Sequence, residues 1–214
     1  MKSTAGRLRA ALWVLCAMLA SACIANATTF KKQANLVDLL GQSELILHGI
    51  VKSVTDGIDS RGLPYTEITL QVSEAIKGKS SSVYVFRQFG LLKPRSMGNG
   101  MANVMVTPAA FANYKKGEET ILFLYKQASK TGFRTTTSLG QGKFNVNMSN
   151  AVNQFNNAGL FDGIVMDQTL LGATEKRVMA TKTGAMNAPG FLSLVKQAVR
   201  GNWVENGRMK NAKK

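Results

Sequence analysis

The chain has 214 residues, with 27 Lys and Arg against 12 Asp and Glu, a formal net charge of +15, one histidine and two cysteines. Both cysteines, Cys16 and Cys23, precede residue 28, so the remainder holds no disulfide and must be stabilised by buried apolar surface. With His48 as the lone histidine, a zinc site built from histidine and cysteine is also excluded there.

Residues 1–27 read as a secretory signal. Lys2, Arg7 and Arg9 stand in a start region without acids, and an apolar run follows over 10–25 (AALWVLCAMLASACIA). Ala25, Asn26 and Ala27 then supply the small-x-small pattern that signal peptidases accept. The run falls short of the ~20 residues a membrane span needs. The expected mature chain starts at Thr28 and works in the periplasm or outside the cell. An alternative is a lipid anchor at Cys23, since Ala20, Ser21, Ala22 and Cys23 form a weak lipoprotein box. The segment removes three of the 27 basic residues and no acid, which leaves 24 against 12 and a net +12. Such a charge favours anionic surfaces: nucleic acid, acidic polysaccharide or lipid headgroups.

Residues 35–40 (NLVDLL) predict a short helix ending at Gly41. Strands are predicted at 43–54 (SELILHGIVKSV), 65–75, where apolar and polar residues alternate with one irregularity, and 82–89 (SVYVFRQF). A long connection over 90–114 carries Pro94, Gly98, Gly100, Pro108, Met97, Met101 and Met105. Connections of that length inside a compact domain are usually functional. A nearly continuous apolar strand at 119–126 (ETILFLYK) is expected to be central, followed by a fifth strand at 132–139 and a short last one at 141–146. From 147 onward the texture is that of an Asn-rich linker and a C-terminal extension, and 158–188 shows no clear period. Phe191, Leu194, Val195, Ala198 and Val199 then share one helical face between Pro189 and Gly201. This helix is expected to dock on its own domain.

The order predicts a mainly β fold: an OB-like five-stranded antiparallel barrel over 28–146, with a short N-terminal helix and a C-terminal helical extension over 147–214. A small sandwich is the competing architecture. Several segments resemble one family. Residues 43–51 (SELILHGIV), 69–78 (TLQVSEAIKG), Phe111 with 116–124 (KGEETILFL) and 140–144 (GQGKF) are similar to landmarks of netrin-like, tissue-inhibitor-of-metalloproteinase-like OB domains. The resemblance covers about 44–146. It implies a secreted barrel that binds something through its loops. The eukaryotic inhibitors cap a metal with an N-terminal, disulfide-locked cysteine, a device that cannot be carried over to a mature chain without cysteine.

No nucleophile–base–acid set is legible, so the chain is expected not to be an enzyme and to use no cofactor or metal. His48 reads as structural. Asp56, Asp59 and Glu67 are the nearest carboxylates to a metal set but read as turn or strand-face residues. Two binding readings remain. In the first, the chain is a non-enzymatic module that binds an envelope or secreted protein, as an inhibitor or accessory, through Met97, Asn99, Met101 and Met105 of the long loop. In the second, it binds a polyanion through Tyr84, Phe86 and Arg87 on the third strand. There, alternation sets Tyr84 and Phe86 on one face and Arg87 with Phe89 on the other, which weakens a stacking platform.

Overall fold

The computed structural model describes residues 33–96, 102–103, 105–147, 151–154 and 159–212. The signal segment with Cys23, and Met97, Asn99 and Met101 of the long loop, lie outside these residues. Residues 33–214 form one compact unit.

The first helix, α1 (Leu36–Gln42), starts at a capping box in which Asn35 accepts from the Asp38 amide and Asp38 accepts in return from the Asn35 amide. Two long strands follow, β1 (Leu45–Ile58) and β2 (Pro64–Lys77), then β3 (Val83–Phe89). A small ribbon pairs β4 (Arg95–Ser96) with β5 (Ala102–Asn103). Next come β6 (Glu119–Leu124), β7 (Lys143–Val146) and β8 (Ala151–Gln154). The C-terminal third adds β9 (Ile164–Met166), α2 (Ala173–Met179), β10 (Met186–Asn187), α3 (Ala188–Arg200) and β11 (Met209–Asn211).

The fold is mainly β, built on a seven-stranded sheet in the order β10-β8-β7-β6-β1-β2-β3, with every pair antiparallel. A second small ribbon joins β11 to β9. β1 pairs with β2 along its whole length but with β6 only over Leu45–Ile50. Register shifts after Ile46, His48 and Val51 interrupt the β1–β2 ladder, and each bulge adds local twist to that coiled ribbon. Gly49 sits at one shift, where a Cβ would meet the Gln71 carbonyl oxygen at 2.2 Å.

Alternation along the central strands feeds two cores. Ile46, Ile121, Phe123 and Phe144 face α1 and α3, whose Leu36, Leu39, Phe191, Leu194 and Val195 are buried there. Leu47, Val51, Leu122 and Leu124 face the opposite way and meet Ile68, Leu70 and Phe86 from the coiled ribbon. The near-continuous apolar character of β6 follows from its burial on both faces. α3 begins at Asn187, whose side chain accepts from the Gly190 amide, with Pro189 in its first turn. Its apolar face is docked, as its periodicity predicts.

Two segments differ from the sequence expectation. The strand expected at 132–139 is a single bridge at Thr136 opposite Leu124. Tyr125 N–H donates to Thr135 O and Thr137 N–H to Phe123 O, so the chain does run beside β6. Ser138 and Leu139 then adopt φ of 51° and 60°, which ends the extended run in a 3-10 turn over Leu139–Gly142. On its other side, Arg134 N–H donates to Arg87 O, linking this segment to edge strand β3 at 2.7 Å. The second difference is in the Asn-rich stretch, which contributes β8 beside β7, with Val152 buried in the helix-side core. Among the described residues no helix is long and apolar enough to cross a membrane.

Candidate functional site

β3 distributes its side chains by strict alternation. Tyr84, Phe86 and Gln88 point inward, while Val83, Val85 and Arg87 are exposed. Phe86 is 5% exposed, stacked on Tyr84 at 5.9 Å and set edge-on to Tyr114 at 5.8 Å. Arg87 lies on the outer face, where its guanidinium sits 4.1 Å over the Tyr65 ring and donates to Glu67 at 2.7 Å. The structure thus separates Phe86 from Arg87, and the ring most needed for a stacking platform is core.

The carboxylates nearest to a metal set are each matched by an arginine. Asp56 accepts from Arg95 at 2.6 Å and from the Leu92 amide at 2.8 Å. Asp59 accepts from Arg61 and from the Leu63 and Arg61 amides; the Leu63 amide leads in holding its carboxyl below the usual range. Glu67 carries Arg87. His48 Nε2 lies 2.7 Å from Glu119. Among the described residues, no three His, Cys, Asp or Glu side chains converge as a metal site.

The described parts of the long connection, 90–96 and 105–107, pack as an arm at the rim of the β1–β2 ribbon. Its root is tied by Leu91 N–H to Met105 O, Thr107 N–H to Leu91 O, and Gly90 N–H to Pro64 O. Gly90 is required there: its φ is +104°, and a Cβ would lie 2.4 Å from the Thr107 backbone. The Asp56–Arg95 pair fixes the arm to the end of β1. Leu92, Met105 and Val106 on the arm are 50%, 46% and 39% exposed. They make up three of the seven exposed large apolar side chains of the described residues, so the arm concentrates sticky surface that folding alone does not demand.

A pocket of about 190 Å³ opens at the root of the arm. Leu91, Leu92 and Val106 form its apolar walls. The Thr66 hydroxyl, also on its lining, donates to Gly90 O and meets the Thr107 hydroxyl at 3.2 Å. Gln88, Thr107, Tyr114 and the exposed Asn113 complete the lining. Gln88 is 2% exposed; its Nε2 donates to Ala112 O, and its Oε1 has no hydrogen-bond partner. The buried Tyr114 hydroxyl has none either. Burial pushes that phenol above its ordinary range, the Glu118 carboxylate adds to the push, and the Thr136 hydroxyl offsets part of it.

Behind Tyr114, the Lys143 ammonium sits 5.1 Å from the ring and pairs with Glu118 at 2.7 Å. Burial holds Lys143 below its usual range, opposed by the Glu118 carboxylate. Gln88 and Tyr114 were not singled out by the sequence reading. The signal was present in β3, where Gln88 continues the inward register of Tyr84 and Phe86, a polar residue at a core position.

No protein-family description, curated protein or solved structure matches the chain.

Proposed function

We propose that the chain is a secreted or periplasmic, non-enzymatic protein-binding module: an OB-like barrel of the netrin-like kind that presents Leu92, Met105 and Val106 of its long connection to an envelope or secreted protein. The observation that carries the reading is the exposure of Leu92, Met105 and Val106 on an arm held in place by its backbone ladder and the Asp56–Arg95 pair. Rigid anchoring lowers the ordering cost of binding, and exposed aliphatic and thioether side chains supply the contact area. The OB-like assignment draws support from the double pairing of β1 and from the Arg134–Arg87 backbone bond beside the bridge at Thr136. Delivery rests on the signal features of residues 1–27, with lipidation at Cys23 as the alternative to cleavage after Ala27.

The test is a paired substitution, Leu92→Asp with Met105→Asp. Both side chains are exposed, so the variant folds as the parent does, and partner binding falls at least tenfold. Unchanged binding overturns the reading.

A second reading, polyanion binding, is favoured by one local feature. The turn at 115–117 packs on β1 through Gly117 N–H to Val51 O, which brings exposed Lys115 and Lys116 beside exposed Lys52. Its signature is affinity that falls steeply with salt.

A further inference from the structure

We infer that the open edge of β3 takes up an extended, acidic segment of another protein as an added strand. This inference rests on the protein-binding reading above and gives the partner a second contact, separate from the arm.

β3 ends the seven-stranded sheet, with β2 on one side only. The bonds that bracket it show which backbone groups face outward. Val72 N–H donates to Ser82 O, and Gly90 N–H donates to Pro64 O. By alternation, Tyr84, Phe86 and Gln88 also turn their amides and carbonyls to β2, while Val83, Val85 and Arg87 turn theirs away. Arg134 N–H reaches Arg87 O from that outer side, which closes the edge there. The Ser81 hydroxyl covers Val83 O. Among the described residues, no bond reaches the Val83 amide, or the Val85 amide and carbonyl, from outside the sheet.

Sheet edges are normally blunted by lysine, proline, a bulge or a covering element. Here the open backbone belongs to Val83 and Val85, 46% and 50% exposed, and the β2–β3 register runs without a shift. Such an edge offers main-chain bonds to any extended chain, and its side chains pack against alternate residues of the newcomer. A cleft of about 300 Å³ adjoins it, lined by Val85, Phe86 and Arg87 of β3 and by Thr131, Gly132 and Phe133. The acids of that cleft are already matched, Glu67 by Arg87 and Asp59 by Arg61. Charge then selects the occupant. Lys79, ahead of β3, and Lys130, whose carbonyl accepts from Arg61, are exposed and belong to no ion pair among the described residues. With the mature chain at net +12, the edge repels a second copy of this protein and attracts an acidic segment.

The probe is the capped peptide acetyl-Glu-Val-Thr-Val-Thr-Glu-amide, titrated into the isotope-labelled mature protein and read by backbone amide shifts and hydrogen exchange. Without peptide, the Val83 and Val85 amides should exchange fast and those of Tyr84 and Phe86 slowly. The peptide is expected to shift Val83 and Val85 saturably and to slow their exchange. A version N-methylated at its central residues cannot form the ladder and should give no shift. One with lysine in place of glutamate should bind about fivefold more weakly at low salt. Val85→Pro removes an outward donor while sparing the bonds to β2, and should lose the response. The N-methylated peptide tests the same ladder on the unaltered chain. The inference is overturned if the peptide gives no saturable shift at Val83 and Val85, if a control peptide binds as well, or if folded Val85→Pro still binds. Protection of Val85 that grows with protein concentration, without peptide, would mark pairing between copies and overturn it too. Partner capture through the arm is scored separately with the Leu92→Asp, Met105→Asp protein, so failure of the edge and failure of the arm are told apart.

Discussion

Lys143 and Phe144 are neighbours on β7, and they enter two different interiors. Phe144 lies between Phe123 at 5.5 Å and Phe191 at 4.7 Å, under a cover of helices. Lys143 turns to the other face, where it meets Glu118 and Tyr114. The helix-covered face is apolar and aromatic, and polar groups are matched at its rim: Asn35 bonds Asn211, Asn211 bonds Asp38, and Glu175 accepts from Ser193 and Gln197. The ribbon face holds a buried ion pair, the unpaired Gln88 Oε1 and an open pocket. One side of the sheet is finished for stability, while the other carries unmet polarity beside exposed apolar surface. In natural proteins such incompleteness gathers where something binds.

The largest test of this contrast is a pair of truncations. Phe144→Ala should lower the unfolding free energy by about 3–5 kcal/mol in urea titrations, the range for a fully enclosed aromatic. Phe86→Ala, in the ribbon-face core, should cost less than Phe144→Ala. Equal losses would erase the difference between the two faces.

Next is the ion pair. Glu118→Gln leaves the Lys143 ammonium buried without its counter-charge and should cost about 3 kcal/mol, whereas Lys143→Met should be close to neutral. The same lysine gives a pH signature. Burial lowers its folded-state value below the ordinary 10.5, so the unfolded chain keeps the proton to higher pH than the folded one does. Stability therefore rises with pH in the window between the lowered value and 10.5, and Lys143→Met should flatten that rise in alkaline thermal melts.

A smaller effect belongs to the helix face. The Ser193 hydroxyl leads in holding the Glu175 carboxyl below its ordinary 4.5. That stabilisation is complete above 4.5 and is lost as pH falls through the lowered value. Acid unfolding of Glu175→Gln should accordingly be shallower than that of the parent. Smallest in stability, and greatest in function, is the arm: Leu92→Asp with Met105→Asp should change the unfolding free energy by under ~0.5 kcal/mol, the scale of exposed substitutions.

Much of this was legible in the chain. β1, β2, β3, β6 and α3 announce themselves through alternation or helical spacing because each buries a defined face. The segment at 132–139 misled because its threonines favour a strand while Ser138 and Leu139 turn out of it with positive φ. β8 stayed hidden because Val152 is its one fully buried apolar residue amid asparagines. Of the binding candidates, Met105 is exposed on the arm and Phe86 is core. The pocket gathers Thr66, Gln88, Val106 and Tyr114 from segments far apart in the chain, a long-range coincidence no local pattern encodes.

The most direct test is retention of partners from native envelope and secreted extracts by the mature chain, 28–214, washed with stepwise salt, beside its Leu92→Asp, Met105→Asp variant. The account predicts one protein held at stoichiometric level through high salt by the parent and lost by the variant. Retention that ignores the variant, or a broad mixture with nucleic acid released smoothly as salt rises, would contradict it and make the net +12 charge of the mature chain the cause of binding.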